Sequence, residues 1–237
     1  MRRRELLSAA AAGLAIPAKA ELAEPVDMLL VLAVDVSRSI DEDEARLQRE
    51  GYRAGVSDGR VVEAITRGML GAIAIAYVEW AGSEYQRLVL PWQRIGGQAD
   101  ANRWAETLAE APRASLSWTS ISGGIDFSRW VLAEAPFEAT RRVIDISGDG
   151  VNNSGRRVER ARDEAVADGI IINGLPIIND RPTFGRAPPM PLDQYFQQSV
   201  IGGLGSFMVV AEDFDAFGTA VRRKLIREIA GLTVMQA

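Results

Sequence analysis

The sequence of 237 residues contains no cysteine and no histidine. The lack of cysteine excludes disulfides, thiolate nucleophiles and zinc–thiolate sites, so stability must come from the core. The lack of histidine excludes a Ser-His-Asp triad, an imidazole general base and histidine-ligated metals. Any metal must therefore be held by oxygen ligands, which favours Mg²⁺, Mn²⁺ or Ca²⁺ over zinc or copper.

Acidic residues outnumber basic ones, 32 to 27, and long apolar stretches are scarce. The formal net charge is −5. An acidic balance argues against nucleic acid or anionic membranes as main partners, because both are bound chiefly through excess lysine and arginine. No apolar stretch reaches the roughly 20 residues of a transmembrane helix, so we expect no transmembrane span.

Residues 1–20 have the pattern of a signal peptide. Three arginines at positions 2–4 precede an apolar stretch over residues 6–17, and Ala18-Lys19-Ala20 has the small residues of a cleavage site. The paired arginines are typical of twin-arginine export, with general secretion as the alternative. Removal of this segment takes four of 27 basic and one of 32 acidic residues, leaving 23 and 31 and a net charge of −8. The expected location is periplasmic or secreted.

Strand-length apolar runs alternate with helical segments in residues 21–237, which indicates one α/β domain. The run Met28–Val36 is nearly all apolar, as in a parallel strand covered on both faces. Two runs joined by a short turn predict a hairpin, so one edge strand should be antiparallel. The two hairpin strands are predicted at residues 71–80 and 85–92, and the other strands at 141–147, 170–177 and 207–211. The first helix is predicted to begin at Asp41 or Asp43 and to end at about Ser57. The remaining helices are predicted at residues 100–111, 120–135, 156–168 and 213–230. The prediction is an open, doubly wound, mostly parallel sheet with helices on both faces.

The first strand ends in a D-x-S-x-S motif formed by Asp35, Ser37 and Ser39. A carboxylate and two hydroxyls on one turn are oxygen ligands suited to a small divalent cation, although the motif alone also fits a helix cap. Ligands gather at the carboxyl ends of parallel strands, so further oxygen donors are expected there. Thr119, in a loop that opens a helix, and Asp149, just past a strand, meet this expectation. Their alternative roles are an N-cap for Thr119 and a plain turn for Asp149.

Together these five residues resemble the metal-ion-dependent adhesion site of von Willebrand factor A domains, which combines D-x-S-x-S with a threonine and a distant aspartate. The resemblance covers about residues 27–232, in element order as well as in motifs, and extends to a little-characterised bacterial subgroup with no agreed partner. It implies that the hydroxyls of Ser37, Ser39 and Thr119 hold a divalent cation, most readily Mg²⁺ and alternatively Mn²⁺ or Ca²⁺. Asp35 and Asp149 would then act directly or through water. It further implies an open position for an Asp or Glu carboxylate of a partner protein or peptide.

Two positions depart from the usual pattern of that family. Trp118 stands where glycine is common, and Gly148 stands where threonine is common; neither change removes a ligand. The exposed neighbours predicted to contact the ligand are Arg38, Trp118, Asn152 and Asn153.

A proline-rich loop excursion at residues 179–205 interrupts the alternation of strands and helices and contains a short helical segment near 193–200. Because it follows a strand, we expect it at the metal edge of the sheet, with a part in ligand choice. Asp145 lies among apolar residues of a buried strand and is expected to bond to Arg141 or Arg142, or to support the metal site from beneath.

The leading functional hypothesis is an exported, metal-dependent protein-binding module without catalytic activity. A second hypothesis takes Asp35 as a phosphoryl acceptor or metal-site base. Enzymes of that kind usually have a second aspartate two positions on, where this chain has Ser37, and a G-x-S-x-G elbow is also lacking. A third hypothesis is a metal-free structural domain whose closing helix, residues 213–230, docks a partner.

Overall fold

The computed structural model describes residues 23–112, 114–178 and 190–234. The predicted signal peptide lies outside these residues, as does the part of the proline-rich excursion at 179–189. The elements in chain order are β1 (Glu24–Pro25), β2 (Leu29–Asp35), α1 (Glu42–Ser57), α2 (Gly59–Thr66), β3 (Ile73–Trp80), β4 (Gln86–Ile95), α3 (Gln98–Glu110), α4 (Ile121–Ala133), β5 (Phe137–Glu138), β6 (Arg142–Gly148), α5 (Val158–Ala167), β7 (Ile171–Pro176), α6 (Leu192–Tyr195), a π-helical turn (Phe196–Val200) and α7 (Phe217–Val234).

The central sheet has five strands in the order β4-β3-β2-β6-β7. All neighbouring strands are parallel except β3 and β4, which are antiparallel. The predicted mostly parallel sheet with one antiparallel edge strand is thus confirmed. In the register, Asp35 lies opposite Trp80 of β3, and Val34 lies opposite Ser147 of β6. The central strand β2 therefore ends between the ends of its two neighbours.

Helices cover both faces of the sheet, and each face has its own apolar core. Alternate residues of β2 enter the two cores, because successive side chains of a strand point to opposite faces. Leu30 and Leu32 pack toward α1, α2, α3 and α7. Leu29 and Val31 pack toward α4, α5 and α6. All seven residues of β2 are buried, as its apolar sequence predicts.

The first two helices begin at aspartate caps. Asp41 Oδ1 accepts a hydrogen bond from Glu44 N at 3.0 Å, and Asp41 N donates to Glu44 Oε2 at 2.9 Å, which forms a capping box. Asp58 then ends α1 and begins α2, accepting from Arg60 N at 2.9 Å. The sequence did not predict α2, because one residue separates it from α1.

The predicted strand at 207–211 is wrong. Within the described residues this segment pairs only through isolated bridges, Met208 with Gly174 of the edge strand β7 and Ala211 with Ile177 just beyond it. Asn173 Oδ1 accepts from Phe207 N at 2.9 Å, so a side chain takes the place of a regular ladder partner. The closing helix also begins later than predicted, at Phe217, because a turn in which Asp213 Oδ1 accepts from Ala216 N at 2.6 Å precedes it.

The described end of the excursion contains the predicted short helical segment. It forms α6 and the π-helical turn, and Phe196 and Val200 are fully buried in the core beside α5. This part of the excursion therefore completes one face of the sheet. Among the helices that the structure describes, none combines the length and apolar character needed to cross a membrane.

Candidate metal centre

Three loops meet at the carboxyl ends of β2 and β6. We call them the first loop (residues 35–39), the second loop (residues 116–120) and the third loop (residues 148–154). Leu116 N donates to Val36 O at 3.2 Å, which joins the first loop to the second. Asn153 N donates to Thr119 O at 2.9 Å, which joins the second to the third. The predicted donors on all three loops are therefore brought to one place.

Four of the predicted donors form a connected set. Ser37 N donates to Asp35 Oδ1 at 2.7 Å, and Ser37 Oγ lies 3.0 Å from Ser39 Oγ. Ser39 Oγ donates to Asp149 Oδ1 at 2.8 Å, although 110 positions separate the two residues. Asp35, Ser37 and Asp149 are buried. The D-x-S-x-S turn and the distant aspartate thus face each other.

Thr119, the fifth predicted donor, is 4% exposed and held by the third loop. Its backbone N donates to Asn153 Oδ1 at 2.8 Å. Its Oγ1 lies 3.7 Å from the position that a Cβ atom at Gly150 would occupy, so the hydroxyl lies beside the Asp149 loop. The N-cap of α4 is Ser120, whose Oγ accepts from Gly123 N at 3.1 Å. The Thr119 hydroxyl is therefore not used to cap the helix.

The four predicted ligand-contact residues fall into two pairs. Arg38 and Trp118 are exposed beside the site, Trp118 by 55%. The amides of Asn152 and Asn153 are used within the protein: the oxygen of Asn152 accepts from Ser122 N at 2.9 Å, and that of Asn153 accepts from Thr119 N. The two asparagines thus position the loops. Sequence reasoning missed this role because it depends on where separate loops meet.

The Asp35 carboxyl is fully buried beneath the site. Burial raises its pKa well above the ordinary value, and the nearby charge of Asp149 raises it further. Its Oδ2 atom is buried and makes no hydrogen bond within the described part of the chain. A buried carboxylate is costly without a partner, so this oxygen is well suited to a cation.

The donor set fits a hard divalent cation. It contains two carboxylates and three hydroxyls, all of them oxygen ligands of the kind that Mg²⁺ accepts. The described residues contain no group of three or more Asp or Glu placed to hold a metal ion. The hydroxyls of Ser37, Ser39 and Thr119 would therefore complete what the two aspartates begin.

Steric crowding explains the glycine at position 148, where von Willebrand factor A metal sites commonly have threonine. A Cβ atom at this position would lie 3.0 Å from Asp35 Oδ2 and 3.3 Å from Cη2 of the fully buried Trp80. The large indole beneath the site thus occupies the space that a threonine side chain would need.

Asp145 does not pair with Arg141 or Arg142, so that prediction is wrong. Its Oδ1 atom lies 2.6 Å from Lys224 Nζ, and Lys224 Nζ lies 3.5 Å from Glu228 Oε1. Lys224 and Glu228 are fully buried on α7. Arg141 and Arg142 instead donate to backbone carbonyl groups. The sequence held one signal for this cluster, since Lys224 and Glu228 lie four residues apart among the apolar residues of a helix.

Comparisons with known proteins agree with this architecture. A family model described as "Protein of unknown function (DUF1194)" matches residues 25–233. No curated protein sequence matches the chain.

Several solved structures are similar. Proximal thread matrix protein 1 (PTMP1) from the mussel byssus, with a zinc-occupied MIDAS motif, is 13% identical with a TM-score of 0.61, over 88% of this chain and 47% of that one. A von Willebrand factor type A protein from Catenulispora acidiphila is 13% identical with a TM-score of 0.57, over 87% of this chain and 43% of that one. BatB from Bacteroides thetaiotaomicron is 18% identical with a TM-score of 0.54, over 86% of this chain and 99% of that one. The chain thus spans about half the length of the first two, and the likeness confirms the predicted fold.

Proposed function

We propose a function for this chain, which belongs to the DUF1194 family of proteins of unknown function and has the von Willebrand factor A fold. In this proposal the protein is an exported binding module that uses a divalent cation to bind a carboxylate of its partner protein. The chain's own five oxygen donors hold the cation, and contacts with the neighbouring loops determine which partner binds.

The observation that supports this proposal most strongly is the meeting of the three donor loops, where Ser37, Ser39 and Asp149 are linked by hydrogen bonds and the buried Asp35 Oδ2 atom makes none within the described residues. Ser37, Ser39 and Thr119 would offer neutral hydroxyls, and Asp35 and Asp149 would act directly or through water. A bound Mg²⁺ supplies an electrophilic coordination position that these ligands leave open. Only two of the five donors carry a negative charge. The cation therefore attracts an incoming Asp or Glu side chain strongly.

Two further observations agree with the proposal, one on the ligand and one on the cation. Arg38, within the first loop, is exposed and adds a positive charge beside the site, which favours an acidic group on the partner. The similar mussel byssus protein has zinc in its MIDAS motif, so a domain of this fold can hold a divalent cation there. We favour Mg²⁺ for this chain, with Mn²⁺ or Ca²⁺ as alternatives.

Export is part of the proposal because of the signal-peptide pattern in residues 1–20. The proposed location is the periplasm or the exterior of the cell. The acidic balance of the chain disfavours nucleic acid as a partner.

Phosphoryl transfer at Asp35 is less favoured. The carboxyl is fully buried, one oxygen accepts from Ser37 N, and the other lies against the Gly148 position. A phosphoryl acceptor needs an oxygen that substrate can reach. A metal-free structural domain is less favoured because the buried Asp35 carboxyl would then be neutralised only through its raised pKa, whereas a cation would stabilise it in its charged form.

A panel of short peptides tests the proposed function. Peptides with a central Asp or Glu, and the same peptides with Asn or Gln, are titrated against the protein in Mg²⁺ and again with a chelator. We expect binding of the acidic peptides in Mg²⁺ only, and a loss of at least about tenfold in the Asp149→Asn variant. Asp43→Asn, at an exposed aspartate on α1, is the matched control. Acidic-peptide binding that survives both the chelator and Asp149→Asn would overturn the proposal.

A further inference from the structure

A groove of about 1050 Å³ lies at the end of the sheet opposite to the candidate metal centre. Three stretches of chain form its walls: residues 25–29, the loop at 67–70 between α2 and β3, and residues 132–142 from the end of α4 through β5. The groove therefore lies at the amino ends of β2 and β6, whereas the metal donors follow the carboxyl ends of these strands. We call it the basal groove.

The rim of the basal groove presents two consecutive large apolar side chains to solvent. Met69 is 75% exposed and Leu70 is 48% exposed. Their loop is fixed by Asp27, whose Oδ1 accepts from Leu70 N at 2.9 Å and whose Oδ2 accepts from Ala72 N at 3.3 Å. Phe137 of β5 adds a half-buried aromatic ring to the lining. Single exposed apolar residues are ordinary, but an apolar pair on a fixed loop beside such a groove indicates a surface that another apolar segment covers.

The first residues of the described chain form one wall of the basal groove. Val26 N donates to Glu138 O at 2.9 Å. The strand β1 runs parallel to β5, with Glu24 opposite Phe137. Because β5 follows α4 in the chain, the direction before Glu24 leads back toward the end of α4, where Ala135 lines the groove. The segment that precedes β1 is therefore joined to the domain at the groove.

That preceding segment has a suitable apolar sequence. Residues 6–17 contain one polar residue, Ser8. The six steps from Pro17 to Ala23 span at most about 22 Å, because an extended chain rises by no more than about 3.6 Å per residue. A tether this short gives an effective concentration on the order of millimolar. A second copy of the chain would need about that concentration to compete, so the chain's own segment is the favoured occupant.

We propose that residues 6–17 occupy the basal groove and cover Met69 and Leu70 in the uncut chain, from which the predicted signal peptide has not been removed. The folded protein then carries its own apolar segment on the end of the sheet that faces away from the metal centre. Removal of residues 1–20 opens the groove and exposes its apolar rim. The inference concerns a surface that the proposed metal-dependent binding does not use, so either can fail without the other.

Disulfide crosslinking in the full, uncut chain tests this contact. The chain has no cysteine, so two introduced cysteines are its only thiols. Leu6→Cys, Ala10→Cys and Leu14→Cys are each combined with Met69→Cys and, as the matched control, with Thr66→Cys. Thr66 is exposed at the end of α2, close to Met69 in the chain, and does not line the groove. We expect the fastest Met69 pair to form an intramolecular disulfide at least about tenfold faster than its Thr66 counterpart, because the bond requires Cα atoms within about 7 Å.

Thiol labelling gives a second readout that needs no exact pairing geometry. The rate at which a maleimide labels Leu14→Cys is measured in the uncut chain. Adding Met69→Asp and Leu70→Asp, both at exposed positions, should raise this rate about three- to tenfold, because a covered thiol reacts only from the open state. Leu204→Asp is the control, since Leu204 is 82% exposed and does not line the groove. It should leave the rate unchanged.

Each outcome supports or overturns the contact. Equal crosslinking rates for the Met69 and Thr66 pairs at all three positions overturn it, as does a labelling rate that the double aspartate variant does not raise. Disulfides that form only between chains overturn it in favour of a second copy in the groove. None of these measurements involves the metal or the peptide panel, so their failure leaves the proposed function intact.

Discussion

Gly148 and Trp118, the two departures from the usual pattern of von Willebrand factor A metal sites, lie next to the candidate donors Asp149 and Thr119 in the chain. Gly148 makes room for Asp35 and for the buried Trp80. Trp118 holds its side chain at the rim of a groove in a left-handed backbone conformation. The first departure therefore concerns packing beneath the site, and the second concerns the exposed surface beside it.

Gly148→Ala should destabilise the protein by about 1–3 kcal/mol, because its Cβ atom would meet Asp35 and Trp80 in a packed interior. Gly59→Ala is the matched control, since a Cβ atom at Gly59 has nothing within 4 Å. That control should be neutral or slightly stabilising. Urea unfolding in the presence of a chelator measures both, and equal stabilities for the two variants would contradict the packing argument.

The five candidate donors could be predicted because oxygen-bearing residues at strand ends stand out in a sequence with no histidine or cysteine. The roles of Asn152 and Asn153 could not. Their side-chain oxygens accept backbone hydrogen bonds from the helix α4 and its entry loop, and such bonds depend on the meeting of loops far apart in the chain. Local patterns predict which residues can act as ligands better than they predict which residues position them.

Among the elements, α7 has an unusual mode of attachment to the sheet. Apolar residues of α7 pack on α1 and the sheet, and Lys224 and Glu228 are fully buried beside Asp145 of β6. Asn173 Nδ2 donates to Glu228 Oε1 at 2.5 Å, which ties the cluster to β7 as well. The helix is therefore held to β6 and to the edge strand β7 by charged and polar groups in addition to apolar contacts.

Lys224→Met should cost about 3–5 kcal/mol of unfolding free energy, because it keeps the side-chain volume but leaves two buried carboxylates without a positive charge. Arg223→Met, on the exposed side of the same helix, should change stability by less than about 0.5 kcal/mol. Thermal or urea unfolding compares them. A small effect at Lys224 would show that the buried charges contribute little to the docking of α7.

The same cluster predicts a pH dependence. Burial raises the pKa of Asp145 to about 7, while Lys224 lowers it and Glu228 raises it. Between the ordinary pKa of aspartate, near 4, and about 7, the folded protein binds more protons at this site than the unfolded chain does. The contribution of Asp145 to stability therefore falls as pH rises through this window and is constant above it.

Asp145→Asn removes that titration and leaves Lys224 paired with Glu228. As pH rises from about 4 to about 7, wild-type stability should fall relative to that of Asp145→Asn. Asp163→Asn, at an exposed position on α5, should follow the wild type throughout. Urea unfolding at a series of pH values measures the difference between the proteins, and a difference that stays constant with pH would contradict the assignment.

Element types were predictable where the apolar period was clear, as in β2 and α4. The failures have physical causes. The helix α2 follows α1 after a single residue, so no loop signal separates them. The segment 207–211 has the composition of a strand, but Asn173 takes its first backbone N–H and only bridges remain. Lys224 was overlooked because lysine is rarely buried, and only the fold reveals the two carboxylates around it.

For the whole molecule, the metal centre should contribute to global stability. A ligand that binds only the folded state stabilises it by about 2.7 kcal/mol at a concentration one hundredfold above its dissociation constant. For a domain of this size that corresponds to a rise of roughly 5–10 °C in melting temperature. We expect Mg²⁺ to produce such a rise in the wild type and in Asp43→Asn, and none in Asp149→Asn. Equal rises in all three proteins would place the binding elsewhere.

The candidate metal centre is tested most directly by the anomalous scattering of crystals grown with Mn²⁺ in place of Mg²⁺. We expect a strong anomalous peak at coordination distance from the hydroxyls of Ser37, Ser39 and Thr119, with Asp35 and Asp149 around it, and no such peak in Asp149→Asn crystals. Saturating Mn²⁺ that leaves this position without a peak, or a peak bound only by other residues, would contradict the account.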